Sequence, residues 1–255
     1  MLQSVHFARQ AGASLLNTVP DVFVDECSSD LMRVAVPSTG VHLVVRFGPH
    51  VPGGFDVHVL GPQYMVRRKL IRGGQRTVFA RLPLGGYHAV LGKPASEFAG
   101  RIVALRDLWD AAATQRLEEE LTAAKDAGSA FIALKTAIAG RLEPGIGFDT
   151  NTRLVQAAAR RLESRHVTSV AEDLGISGRH LRRVFRDVVG LSPKAFSKLM
   201  RFERALKAAK EGRDSSWSDI AVGAGYYDQA HLIADFHSIA GATPREFLAE
   251  LRSQS

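Results

Sequence analysis

The chain builds one small device twice. GISGRHLRRVFRDVVGLSPKAF, from Gly175 to Phe196, and GYYDQAHLIADFHSIAGATPREF, from Gly225 to Phe247, share the frame G…H-L-x-x-x-F-x-x-x-x-G-x-[ST]-P-x-x-F. Leu181, Phe185, Gly190, Pro193 and Phe196 return at an offset of 51 as Leu232, Phe236, Gly241, Pro244 and Phe247, whereas Ala171 returns at 50 as Ala221. One residue has therefore been inserted inside the second turn.

The spacing dictates helices. Leu181, Val184, Phe185 and Val188 fall at i, i+3, i+4 and i+7, a buried stripe on a helix from Gly178 to Val189 that Ser177 caps. Val170–Leu174 reads as a short preceding helix and Gly175-Ile176 as a tight turn, which together make a helix-turn-helix. Downstream, Asp219–Ala224 is the short helix, Gly225-Tyr226-Tyr227 the turn, and Asp228 the cap of a helix to about Ile239. Ser192-Pro193 and Thr243-Pro244-Arg245-Glu246 open further helices, and Ser169 with Glu172 reads as another capping box. Seven helices are expected between 152 and 252. Lys194–Lys210 predicts a rigid spacer about 25 Å long, fitted to hold two helices about one DNA turn (~34 Å) apart.

The two copies differ in charge. The first carries Arg179, Arg182, Arg183 and Arg186 opposite its apolar stripe; the matching positions of the second are Ala230, Ile233, Ala234 and His237. Four guanidinium groups on one helix face suit a major groove, where arginine bonds guanine O6 and N7. The plainer alternative is a solvated basic face. The chain's net charge of +7 is concentrated here: residues 151–255 hold 17 Lys+Arg against 12 Asp+Glu, and the first 150 hold 16 against 14.

SVAEDLGISGRHLRRVF, GLSPKAFSKLMRFERA and IAVGAGYYDQAHLIADFHSIAGATPREF together resemble the DNA-binding domain of the AraC/XylS family of transcription regulators over about residues 152–252. The resemblance implies two reader helices in adjacent major grooves of an operator duplex, and a separate N-terminal domain for sensing or dimerisation. It places base readout on Arg179, Arg182 and Arg183 in the first unit and on Gln229, Ala230, His231, Ile233 and Ala234 in the second. Phosphate contacts are expected from His180, Arg186, Lys194, Lys198, Arg201 and His237. Ala234 departs from the polar reader of many members, and Asp235 adds a negative charge nearby. Polar readout is therefore expected mainly from the first unit, with apolar contact and shape fit from the second. RNA polymerase and a second copy of the chain are the implied protein partners.

The first hundred residues read as β-rich. Val41–Phe47, Phe55–Leu60, Lys69–Arg72 and Thr77–Leu82 are short β-branched runs between Gly/Pro turns. Helices are expected at 109–126 and 129–142. The resemblance implies a cupin-like barrel here, so the expected class is α+β: a β-barrel or sandwich over 1–142 with helices at 105–142, a linker at 143–151, and an all-α domain over 152–255 with units at about 169–190 and 218–240. The N-terminal domain is read either as the site of a small effector or as a dimerisation module alone.

Other classes fit poorly. His42, His50, His58 and His88 lack metal-site spacing, so no metal or other cofactor is expected. Cys27 is the sole cysteine, which excludes the four-cysteine zinc site and nucleophile of DNA-repair methyltransferases with a related domain and suits a reducing, cytoplasmic setting. No paired carboxylates or Ser/His/Asp set marks an enzyme. Gly86–Pro94 brushes against a phosphate loop but has the wrong spacing and a proline in place of Ser/Thr. The N-terminus lacks a signal peptide's pattern and no apolar run reaches membrane-spanning length.

Overall fold

Residues 22–142, 150–163, 165–212 and 216–253 are described by a computed structural model. The segment 143–149, most of the expected linker, lies outside them, as does the N-terminal stretch before Val22.

The fold is α+β. Strands β1 (Val22–Cys27), β3 (His42–Phe47), β4 (Phe55–Leu60), β6 (Gln75–Arg81) and β7 (Ile102–Ala104) form an antiparallel sheet in the order β1-β6-β3-β4-β7. Strands β2 (Leu31–Ala35) and β5 (Arg67–Ile71) pair as a second, two-stranded sheet. The pleat explains the division of labour. Leu43, Val45, Val59, Val78 and Ala80 face the main core and are wholly buried. The alternate residues His42, Val44, Arg46, His58, Leu60, Thr77 and Phe79 line a cavity shared with β2 and β5. Strands β1 and β2 went unforeseen because acidic Asp25 and Glu26 and basic Arg33 break their alternation; in the structure Asp25 and Arg33 pair at 2.7 Å.

Helix α1 (Tyr87–Leu91) occupies the glycine-flanked stretch that brushes against a phosphate loop. Helices α2 (Ala111–Ala123) and α3 (Ala127–Ala139) follow, each opened by an aspartate cap, Asp110 and Asp126. Both are shorter than expected. Ala124 stops α2 in an extended conformation, and the Asp126–Ser129 capping box restarts the chain.

Seven helices make up the rest: α4 (Thr150–Leu162), α5 (Val167–Asp173), α6 (Gly178–Val189), α7 (Pro193–Glu211), α8 (Trp217–Ala224), α9 (Gln229–Ala240) and α10 (Pro244–Ser253). The repeat holds down to single bonds. Ile176 and Tyr226 donate their amides to the carbonyls of Ala171 and Ala221, and Gly190 and Gly241 end α6 and α9 in left-handed conformation. The inserted residue is thus Tyr227, which stands 90% exposed. One cap differs from expectation. Ser169 lies inside α5, whose N-cap is His166 without a side-chain bond, because the helix has already begun at Val167. The Thr243–Glu246 box is present, with Glu246 accepting from the Thr243 amide at 2.8 Å.

The sheet domain and the helical domain share one continuous buried apolar cluster. Thr152 at the start of α4 packs into the space beside Gly85. Gly190 abuts the Ala95 carbonyl and Pro62, and the Val66 amide donates to the Ile239 carbonyl at 2.8 Å. A side chain at Gly190 has no room: an added Cβ lies 2.7 Å from the Ala95 carbonyl oxygen, at a φ of +84°. Gly190→Ala is therefore expected to lower stability by about 1–3 kcal/mol, measured by urea unfolding, while the equally left-handed but open Gly241 loses less on the same change.

Glu203 on α7 is a second feature of this packing. Burial holds its carboxyl up at about 7 from 4.5, and Arg81 draws it only partly back. The folded form thus binds a proton more tightly than the unfolded chain, so stability is lost as pH rises from about 4.5 to about 7 and levels off above. Thermal melts of Glu203→Gln should show that slope reduced, with the variant more stable than wild type at pH values above that window.

Candidate nucleic-acid interface

Helices α6 and α9 are both packed against α7, which is buried along its length. Phe196 stacks on Phe185 of α6 at 5.2 Å, and Phe202, six residues on, meets Phe236 of α9 at 4.5 Å and Phe247 of α10 at 5.9 Å. Six residues of helix are about 9 Å, so one rod packs against both units within the shared core. Its 19 residues give it a length of about 28 Å. Arg204 fastens it further, donating to the Ala224 carbonyl at 3.0 Å and the Glu163 carbonyl at 2.8 Å.

On α6, Leu181, Val184, Phe185 and Val189 are buried, and Arg179, Arg182, Arg183 and Arg186 are exposed. The Ser177 hydroxyl accepts from the His180 amide at 3.1 Å, which fixes the N-terminal turn. His180 is half-buried and lies 3.2 Å from an Arg183 nitrogen. Among the described residues none of the four arginines has a carboxylate partner. The face is therefore a concentrated positive charge with its hydrogen-bonding forks open to solvent.

On α9, Gln229, Ala230, His231, Ala234 and His237 are exposed and Ile233 is partly buried against the core. The Ser218 hydroxyl donates to the Gln229 side-chain carbonyl at 3.0 Å. The His231 ring stands edge-on to Tyr226 at 5.2 Å, so its orientation is set by packing. Both helices thus present their first turns outward, one cationic and one nearly neutral.

Two expected phosphate contacts are engaged internally. Lys198 and Arg201 both reach Asp235, at 3.2 and 3.4 Å, and Asp235 is only 7% exposed. Lys198 also donates to the Ser238 hydroxyl, and Arg201 lies over the Tyr226 ring at 5.3 Å. Sequence reasoning placed Asp235 as a stray charge near the reading face. Its position three residues after Leu232 and one before Phe236 places it on the buried side, where it ties α9 to α7. Lys194 and Arg186 remain exposed.

Residues 170–250 match a family model described as a helix-turn-helix domain. Both helix-turn-helix units fall within the matched residues, α8–α9 wholly and α5–α6 from Val170 onward. No curated protein matches the chain. Among solved structures, the DNA-binding domain of AdpA, a global transcriptional factor in complex with a target DNA, is 24% identical over 41% of this chain and 95% of its own, with a TM-score of 0.36. The C-terminal domain of AraT, a response regulator from Geobacillus stearothermophilus, is 22% identical over 39% of this chain and 84% of its own (TM-score 0.36). ToxT from Vibrio cholerae spans 90% of this chain and 97% of its own at 9% identity (TM-score 0.42). Among the described residues no cluster of three or more His, Cys, Asp or Glu is placed to hold a metal ion, and no helix is long and apolar enough to cross a membrane.

Within the helical domain, Asp235 is the charge whose removal is most informative. Asp235→Ala leaves Lys198 and Arg201 without their shared carboxylate, yet both cations are a quarter to a third exposed, so the cost is about 1–3 kcal/mol. Chemical denaturation should register that loss, and DNA affinity should fall with it because α9 loses its tie to the spacer.

Proposed function

We propose that the chain is a sequence-specific DNA-binding transcription regulator that seats α6 and α9 in successive major grooves of one duplex. The observation that carries this reading is the unpaired arginine face of α6, mounted beside a second reader helix on one rigid rod. Arg179, Arg182 and Arg183 supply the polar base readout. Gln229, Ala230, His231, Ile233 and Ala234 supply a smaller, mostly apolar readout suited to thymine methyl groups and groove shape. Arg186, Lys194, His180 and His237 hold phosphates; Lys198 and Arg201 act on α9 through Asp235 and reach phosphate only at their exposed ends.

The remaining partners belong to the same reading. The N-terminal sheet domain takes a small effector in the cavity between its sheets. A second copy of the chain pairs through α2 and α3, supported by the exposed Ile132, and RNA polymerase is the machinery the bound regulator acts on. The chain works in the cytoplasm and does no chemistry of its own.

A duplex selected from a random pool tests the core of the reading. Arg182→Ala should weaken binding to it by about 1–3 kcal/mol and relax preference at one or two base pairs, read by fluorescence anisotropy. Inserting about half a helical turn between the two half-sites should abolish two-groove binding. Unchanged affinity and preference in the Arg182 variant would refute the assignment of readout to α6.

A further inference from the structure

Ser218 ties together the starts of the two helices of the second unit. It stands in the first turn of α8, and its hydroxyl donates to the side-chain carbonyl of Gln229, the first residue of α9, at 3.0 Å. Both residues are exposed. The consequence lies in the amide. A glutamine offers one carbonyl acceptor and two N–H donors. Its usual pairing with adenine uses both ends, the oxygen accepting from N6 and the nitrogen donating to N7. Here the oxygen is turned back toward α8. Among the described residues the amide nitrogen has no acceptor, so its N–H groups are the part of Gln229 left for something outside the chain.

The first unit fills the same place differently. Gly178 stands at the position of Gln229, and Thr168 at that of Ser218. With no side chain at 178, the guanidinium of Arg182, one turn on, lies over the start of the helix: a Cβ added to Gly178 lies 3.7 Å from its nearest nitrogen. In the second unit the counterpart of Arg182 is Ile233, which packs partly buried against the core and has no donor. Arginine has donors only. A glutamine whose oxygen is engaged and turned away presents itself in the same manner. Each reader helix therefore carries a donor head over its first residue, where the N-terminal end of the helix adds positive potential of its own.

We propose that Ser218 is a positioning residue for sequence recognition. It locks Gln229 as a donor-only reader, so that the second unit selects a hydrogen-bond acceptor on the duplex and rejects a donor. This rests on the regulator reading above, and assigns a polar readout to α9 that Ala230, Ile233 and Ala234 cannot supply. The acceptor is a purine N7, a guanine O6 or a thymine O4 on a base edge, or a phosphate oxygen. On a base edge, the rejected donor is the N4 amino group of cytosine.

The test uses the full chain on a duplex that it selects from a random pool, with fluorescence anisotropy as the readout. Single base-pair changes, 7-deazapurines and methylphosphonates are placed one at a time across the half-site of the second unit. One of them should weaken the wild type about fivefold and leave Gln229→Met unaffected; a base change or deazapurine marks a base edge, a methylphosphonate the backbone. Ser218→Ala should weaken binding about threefold alone and cause no further loss in Gln229→Met. Ser218→Thr, which keeps the hydroxyl in a side chain that the first unit already accommodates, should bind like the wild type. Wild-type affinity in Ser218→Ala, or an equal loss with and without Gln229, overturns the positioning role. A wild-type preference for a donor at the position that depends on Gln229, or no modification that separates Gln229→Met from the wild type, overturns the donor-only assignment. A chain that selects no duplex overturns the regulator reading and this inference with it; selection without coupling between Ser218 and Gln229 overturns this inference alone.

Discussion

Everything distinctive about the helical domain depends on α7 being buried twice. An ordinary amphipathic helix commits one stripe to one core. Here Phe196 belongs with Phe185 in the first unit and Phe202 with Phe236 and Phe247 in the second. Each set of contacts is local, and each would tolerate some drift by itself. A shared rod removes that freedom, because packed interiors resist the sliding that would change the distance between α6 and α9. The ion pairs from Lys198 and Arg201 to Asp235 add direction to this apolar fixing: they set the rotation of α9 about its own axis, which decides which of its side chains point outward.

The asymmetry between the repeats follows from the same arrangement. The first unit is held by α4 and by the Ala95 and Pro62 region of the sheet domain at Gly190, leaving its arginine face unconstrained by internal partners. In the second unit charge is turned inward, on Asp235, and the outward face is left nearly neutral. Two equivalent scaffolds thus carry different loads, one the exposed cations and the other the internal anchor. Tyr227, the residue inserted in the second turn, is 90% exposed and disturbs neither core, which is why the insertion is compatible with the frame.

Much of this was legible in the sequence, for physical reasons that vary by element. The helical frame was readable because each of its marks has a local cause: glycine at a left-handed stop, Ser or Asp at a cap, Pro at the first turn, Phe at helical spacing. Even the position of the insertion could be counted. Asp235 was misplaced because a buried acid looks like a surface one until its two cations are found, and both stand on α7, far from it in sequence. The capping role expected of Ser169 failed because the same Ser-x-x-Glu spacing occurs inside helices, and nothing local said that α5 had already begun. Strands β1 and β2 escaped notice because Asp25 on β1 and Arg33 on β2 pair between the two sheets, a fact that alternation patterns do not carry.

The sheet domain shows what such patterns leave out most clearly. HLVVRF on β3 looks like any half-polar strand, with one apolar face for the core and one polar face for water. In this fold the polar face is partly roofed by β2 and β5 and lines a cavity with them. A face patterned for solvent but roofed by protein is the recipe for a polar-walled cavity, and such a cavity is stable only if its charges are paired, solvated or left for something else to satisfy. Arg33 and Arg46 are of the first kind. Lys69 is exposed to solvent, and Arg68 reaches across to Glu250 on α10 and the Ala240 carbonyl of α9. Arg68 thus belongs both to the lining of the cavity and to the contact with α9 and α10.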